Sequence, residues 1–114
     1  MSVPARTITF EGAGREEVCP YYHQAIELVG KRWTGAIVDA LLPAPHRFSE
    51  IAQAIPQISD RLLSMRLREL EAEGIVERQV LEGSPVRVEY ALTQKGEALE
   101  PAVRALKRWA NSWL

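Results

Sequence analysis

Residues 46–74, HRFSEIAQAIPQISDRLLSMRLRELEAEG, hold two helical patterns parted by a break. Ser49 reads as the N-cap of a short helix over residues 50–55, with Ile51, Ala52 and Ile55 on one face, and Pro56 and Gln57 interrupt it. Ser59 caps a longer helix in which Leu63, Leu67 and Leu70 recur at i, i+4 and i+7, and Gly74 supplies a left-handed stop. At 100° per residue these leucines lie within about 60° of one another, so that helix buries one stripe and turns the other outward.

The outward side carries Arg61, Met65 and Arg68, with Ser64 at its margin. A helix-turn-helix lays its second helix in the DNA major groove, which requires this division into an apolar stripe and a polar face. Arg61 is the first candidate base reader, because an arginine can grip guanine O6 and N7 with two hydrogen bonds worth about 1–3 kcal/mol of discrimination. The bland alternative is a solvated face whose arginines pair with Asp60 or Glu69. Taken alone the helix supports both readings equally, and the order of elements around it favours DNA.

Downstream, residues 75–81 and 86–92 are β-prone runs around Glu82, Gly83, Ser84 and Pro85, which predicts a hairpin with a four-residue turn, placed as a wing. Thr93 then caps one last helix running to the end of the chain. It bears Leu99, Val103, Leu106 and Trp113 with Trp109 beside them, a stripe wide for a terminal helix. Upstream, Arg47 and Phe48 suggest a brief extended piece. Helical spacing places one helix over residues 20–29, carrying Tyr22 and Ile26 and stopped by Gly30, and a second from Trp33 to the prolines at 43 and 45. Residues 1–18, with two glycines and little periodicity, read as an arm, leaving 19–114 as one domain. The fold class expected is mainly helical α+β, a winged helix-turn-helix with terminal helices available for dimerisation.

The composition agrees with a small soluble domain. The 114 residues are 46% apolar and 25% charged, which excludes low-complexity and collagen-like classes. No apolar run reaches a bilayer-spanning length and no secretory leader pattern opens the chain, so the expectation is a cytoplasmic protein without a membrane partner. The net charge of −1 argues against a generally basic nucleic-acid binder, yet residues 31–68 hold six basic and three acidic groups. A basic footprint confined to one element fits that distribution.

Secondary candidates surround the helix. Ser84 at the wing tip and Arg87 at the start of the second strand can approach a phosphate or the minor groove, although Arg87 is equally suited to pairing with Glu77 or Glu89. Arg47 and Ser49 can donate to phosphate, with capping the competing role for Ser49. Cys19, the single cysteine, precedes Pro20 at a helix start, where unpaired N–H groups favour a thiolate. Glu16 and Glu17 oppose that effect. Cys19 and His23 at i, i+4 lack the third group and oxyanion loop of a nucleophilic enzyme. The two histidines show no metal-ligand spacing, and no glycine-rich phosphate motif is present, so no catalysis, metal or cofactor is expected.

Several motifs agree in order and spacing: Cys-Pro at 19–20, Gly-Lys-Arg-Trp at 30–33, Arg-Phe-Ser-Glu at 47–50, Ile-Ser at 58–59, Arg-Leu-Arg-Glu-Leu at 66–70 and Val-Glu-Tyr-Ala-Leu-Thr at 88–93. Through them residues 17–114 resemble the HxlR family of bacterial winged helix-turn-helix transcriptional regulators, distant relatives of MarR. The resemblance implies a homodimer whose first and last helices pair across a two-fold axis, with Tyr22, Ile26, Leu99, Val103, Leu106, Trp109 and Trp113 as the dimerisation set. It implies double-stranded operator DNA as the partner. It also implies that Cys19 matches a position some members use to sense oxidants, quinones or aldehydes, by alkylation or an intersubunit disulfide. Asp60 and Met65 in the reading helix prevent any operator sequence from being carried over.

The expectation is thus a homodimeric regulator, a repressor, on a pseudo-palindromic operator with half-sites about 34 Å apart. Two rivals remain. One is a winged-helix module that holds a protein partner without DNA. The other is a regulator that takes a small-molecule inducer among Tyr21, Tyr22, Trp33 or Trp109.

Overall fold

A computed structural model describes residues 18–114; the expected arm therefore lies, Val18 aside, outside the described residues. Six helices and one hairpin follow in the order α1 (Pro20–Val29), α2 (Thr34–Leu41), α3 (Phe48–Ala54), α4 (Asp60–Ala72), β1 (Val76–Leu81), β2 (Arg87–Leu92), α5 (Gln94–Glu97) and α6 (Glu100–Trp113). Pro20 opens α1, where its missing N–H would have had no partner, and the Gly30 amide closes the helix on the Ile26 carbonyl at 2.7 Å. None of the residues of α1 is buried.

The core is made by α2, α3, α4 and the base of the hairpin. Ile37, Val38 and Leu41 meet Ile51, Ile55 and Ile58, and all of these close over Leu63, Leu67 and Leu70, with Ile75, Val76 and Leu92 from the sheet end. The three leucines of α4 are 0–1% exposed, so the i, i+4, i+7 stripe is the face that holds the helix, at about 1.5–3 kcal/mol for each side chain. The Ser59 hydroxyl accepts the Leu62 amide at 3.1 Å and caps α4 as the sequence predicts. Gly74, at φ 73°, ends it, with the Ile75 amide returning to the Leu70 carbonyl at 2.9 Å.

Strands β1 and β2 pair antiparallel, from Val76 opposite Leu92 to Leu81 opposite Arg87. His46 adds a one-residue bridge to Tyr90, with N–H···O distances of 3.0 and 2.7 Å, and anchors the start of α3 to the sheet.

Five local expectations are corrected. Arg47, not Ser49, is the N-cap of α3; its amide donates to the Glu50 carboxylate at 2.8 Å, and Ser49 lies within the first turn. Of the brief extended piece, Arg47 is extended as expected and follows the His46 bridge, but Phe48 already belongs to α3. The hairpin loop spans residues 82–86, one more than predicted, since Val86 lies outside β2. Trp33 precedes α2 in a left-handed conformation at φ 77° instead of starting the helix. The last helix is two: Thr93 caps only α5, whose Gly96 amide donates to its hydroxyl at 3.2 Å, and a bend at Ala98 and Leu99 precedes α6. Pro101, in the first turn of α6, has no N–H to continue the ladder from α5.

Candidate nucleic-acid interface

Because Leu63, Leu67 and Leu70 are buried, α4 is fixed in rotation and its opposite face is turned to solvent. Arg61 and Arg68 are exposed, Met65 between them is 38% exposed, and Ser64 is half-buried at the margin. Seven residues at 1.5 Å rise set the two arginines about 10 Å apart along the helix, two turns of one stripe. Among the described residues no ion pair engages Arg61 or Arg68. Glu69, which the bland reading gave them as a partner, is taken by Arg66 at 3.0 Å and by Lys31 at 3.5 Å. Arg66 itself, overlooked as a candidate although it opens the Arg-Leu-Arg-Glu-Leu motif, is only 17% exposed and points back into the fold.

The flanks differ from this stripe. The Arg47 Nε lies 3.7 Å from Glu50 Oε1 and His46 Nδ1 lies 3.6 Å from the same oxygen, so Arg47 is partly drawn toward a carboxylate. Acceptance of the Arg47 amide, helped by the nearby Arg47 and His46 charges, holds the Glu50 carboxyl below its usual range. Ser49 is exposed beside this group. On the wing, Ser84 and Arg87 are exposed, as is Glu82, and Arg87 forms no ion pair with Glu77 or Glu89 among the described residues. Val80 and Val86 add an apolar rim at the tip, 57% and 59% exposed.

Away from this face lies an apolar groove of about 490 Å³ between α1, α2 and α6, lined by Ile26, Val29, Val38, Leu99, Val103, Leu106 and Trp109. Leu99 and Val103 rest against the core, whereas Leu106, Trp109 and Trp113 are 66%, 53% and 75% exposed. Tyr22 and Ile26 of α1 are also open, at 63% and 46%. Of the four aromatic residues considered as walls of a ligand pocket, Trp109 lines the groove; Trp33 packs against the core instead. The Lys107 Nζ reaches Asp39 Oδ1 at 2.6 Å and ties α6 to α2 below the groove. Cys19, half-buried, is the N-cap residue of α1, and its carbonyl accepts the His23 amide at 3.0 Å. Glu16 and Glu17 lie outside the described residues. No trio of His, Cys, Asp or Glu among the described residues is grouped to hold a metal, and none of the described helices is long and apolar enough to cross a membrane.

The family model for the HxlR-like helix-turn-helix matches residues 28–114. YvaP of Bacillus subtilis, described as an uncharacterized HTH-type transcriptional regulator, is 47% identical over 100 residues, covering 88% of this chain and 93% of that protein. The reduced form of the transcriptional regulator YodB from B. subtilis superposes with a TM-score of 0.78 at 46% identity, over 85% of this chain and 95% of the other. Quinone-bound YodB superposes with a TM-score of 0.74 at 45% identity, over 84% and 100% of the two chains.

Proposed function

Because the chain belongs to the HxlR-like helix-turn-helix family, we propose that it is a cytoplasmic homodimeric regulator, residues 19–114 forming its DNA-binding domain, that represses transcription from a pseudo-palindromic operator. The observation that carries this reading is the Arg61, Met65 and Arg68 stripe: two arginines without ion partners among the described residues, on a helix whose opposite face is fully buried. Arg61 and Arg68 read base edges from the major groove, with Ser64 and Met65 between them, and Arg87 and Ser84 meet phosphate from the wing. Arg47 and Ser49 supply phosphate contacts at the start of α3. A dimer seated on promoter DNA excludes other proteins from the same base pairs, so repression needs occupancy and no catalytic step.

The second copy covers the open stripe of α1 and α6, placing Tyr22, Ile26, Leu106, Trp109 and Trp113 at the subunit contact and Leu99 and Val103 beneath it. The inducer is an electrophile. With a quinone, the Cys19 thiolate sulfur adds to a ring carbon: a C–S bond forms as a ring C=C π bond breaks, one oxygen takes a proton from solvent, and the proton on the attacked carbon passes to the other oxygen, which leaves the hydroquinone thioether. What supports this step is the position of Cys19 at the head of α1 and the existence of a quinone-bound form of the similar YodB.

Fluorescence anisotropy tests the proposal. The duplex upstream of the protein's own gene, and the duplexes recovered by selection from genomic fragments, are titrated with reduced and quinone-treated protein at two salt concentrations. Tight, salt-sensitive binding by the reduced form that is lost on treatment, and retained by treated Cys19→Ser, is the expected result. Equal binding by both forms removes the thiol switch and leaves the regulator. Binding no tighter than to random duplex removes DNA and favours a protein partner.

A further inference from the structure

The Arg66 guanidinium joins two parts of the fold that are otherwise far apart in sequence. Its Nε donates to the Arg32 carbonyl oxygen at 3.2 Å, and its Nη1 donates to Glu69 Oε1 at 3.0 Å. Lys31 Nζ closes the set at 3.5 Å from Glu69 Oε2. One side chain of α4 therefore grips the backbone of the turn that follows α1, and its neighbour on α4 holds the adjacent lysine. The turn is shaped from the other side as well. The Arg32 guanidinium lies 4.9 Å over the Trp33 ring, and Trp33 adopts a left-handed backbone that bulky residues rarely take.

We propose that Arg66 is a positioning residue for operator binding: by locking α4 to the α1–α2 turn, it fixes the angle of the reading helix and so the half-site spacing the dimer accepts. This rests on the reading of α4 as the base-contacting helix and of α1 as part of the subunit contact. A planar fork with one arm on the Arg32 carbonyl of the turn and the other braced by Glu69 of its own helix resists rotation in a way that an ammonium on a flexible stem does not. Arg66 sits at the middle of the 13 residues of α4, which its buried leucines hold to the core, so release there frees the turn and the unburied α1 to swing against the reading helix. One base pair of added spacing displaces a half-site by about 3.4 Å along the duplex, which a rigid pair of helices cannot follow and a loosened pair can.

The test uses the duplex that wild-type protein selects from a random pool, together with versions whose central spacer is one base pair longer or shorter. Wild type is expected to lose about thirtyfold in affinity on either altered spacer, in the range of a mismatched base pair. Arg66→Gln is expected to bind all three within about threefold of one another, and Arg66→Lys to fall between, with the number of salt-sensitive contacts unchanged. A wild type that selects no duplex overturns the DNA reading and this inference together. A wild type with sharp spacing preference and an Arg66→Gln protein with the same preference, or with equal weakening on every spacer, overturns the inference and leaves the DNA reading standing. If Arg66→Gln fails to fold by circular dichroism, Arg66→Lys decides on the same criterion, and a wild-type spacing profile in that variant overturns the assignment.

Discussion

Gly96 lies so close to the Ile75 carbonyl oxygen that a methyl group on its α-carbon would collide with it, and would also stand 3.1 Å from Leu92 Cδ2. The same carbonyl accepts the Thr93 amide at 3.0 Å, so the oxygen is held in place and cannot retreat. Gly96→Ala is expected to destabilise the fold by about 1–3 kcal/mol, read as a lowered urea midpoint with an unchanged slope. A midpoint equal to wild type would mean that the α5 turn shifts freely over the sheet.

Arg61→Ala is expected to relax preference at one base pair in each half-site by about 1–3 kcal/mol, measured by competition with single-base operator variants. Arg87→Ala should weaken all sequences alike and reduce the slope of log affinity against log salt by about 1. Unchanged base preference in the first variant removes Arg61 as a reader.

Leu106→Asp places a charge on the exposed stripe of α6, away from the leucines of α4. Sedimentation is expected to show a shift from dimer to monomer at micromolar concentration. Operator affinity should fall by more than about tenfold, because two linked half-site contacts become one. A variant that stays dimeric assigns the subunit contact elsewhere.

Glu50 gives a pH prediction with a defined sign. Its carboxyl is held below the usual range chiefly because it accepts the Arg47 amide. The ionised form is thus favoured by the fold, and its contribution is present above the ordinary carboxylate pKa and lost as pH falls through the lowered one. Carboxyl NMR should show Glu50 titrating below the ordinary glutamate range. The α3 amides should be less protected in Glu50→Gln than in wild type near neutral pH, and the difference should close as acid protonates Glu50.

The periodic stripe of Leu63, Leu67 and Leu70, the Ser59 cap and the Gly74 stop were legible in the sequence because each is a local rule obeyed locally. The α3 cap was not, since Ser49 has the better capping chemistry, whereas the His46 bridge to Tyr90 and the Glu50 carboxylate on the Arg47 amide lie at the observed start of α3. The bend before α6 was signalled by Pro101 but hidden by a continuous apolar pattern across it. On the candidate interface, the outward turn of Arg61 and Arg68 followed from the leucines, while the inward turn of Arg66 did not. Its acceptor is a backbone carbonyl 34 positions away, which no spacing rule reveals.

The upper half of α6 has a further consequence. Beyond Val103, among residues 104–114, only Ala110 is even partly buried, and a lone helix of this length is marginal in water. Its backbone amides are shielded from solvent hydrogen only while something lies on Leu106, Trp109 and Trp113. Deuterium uptake over this segment therefore reports occupancy of the stripe, and should slow as protein concentration rises. Uptake at Leu63, Leu67 and Leu70 reports global unfolding of the core and should be far less sensitive to concentration. A single exchange experiment on one sample can thus time assembly and folding separately.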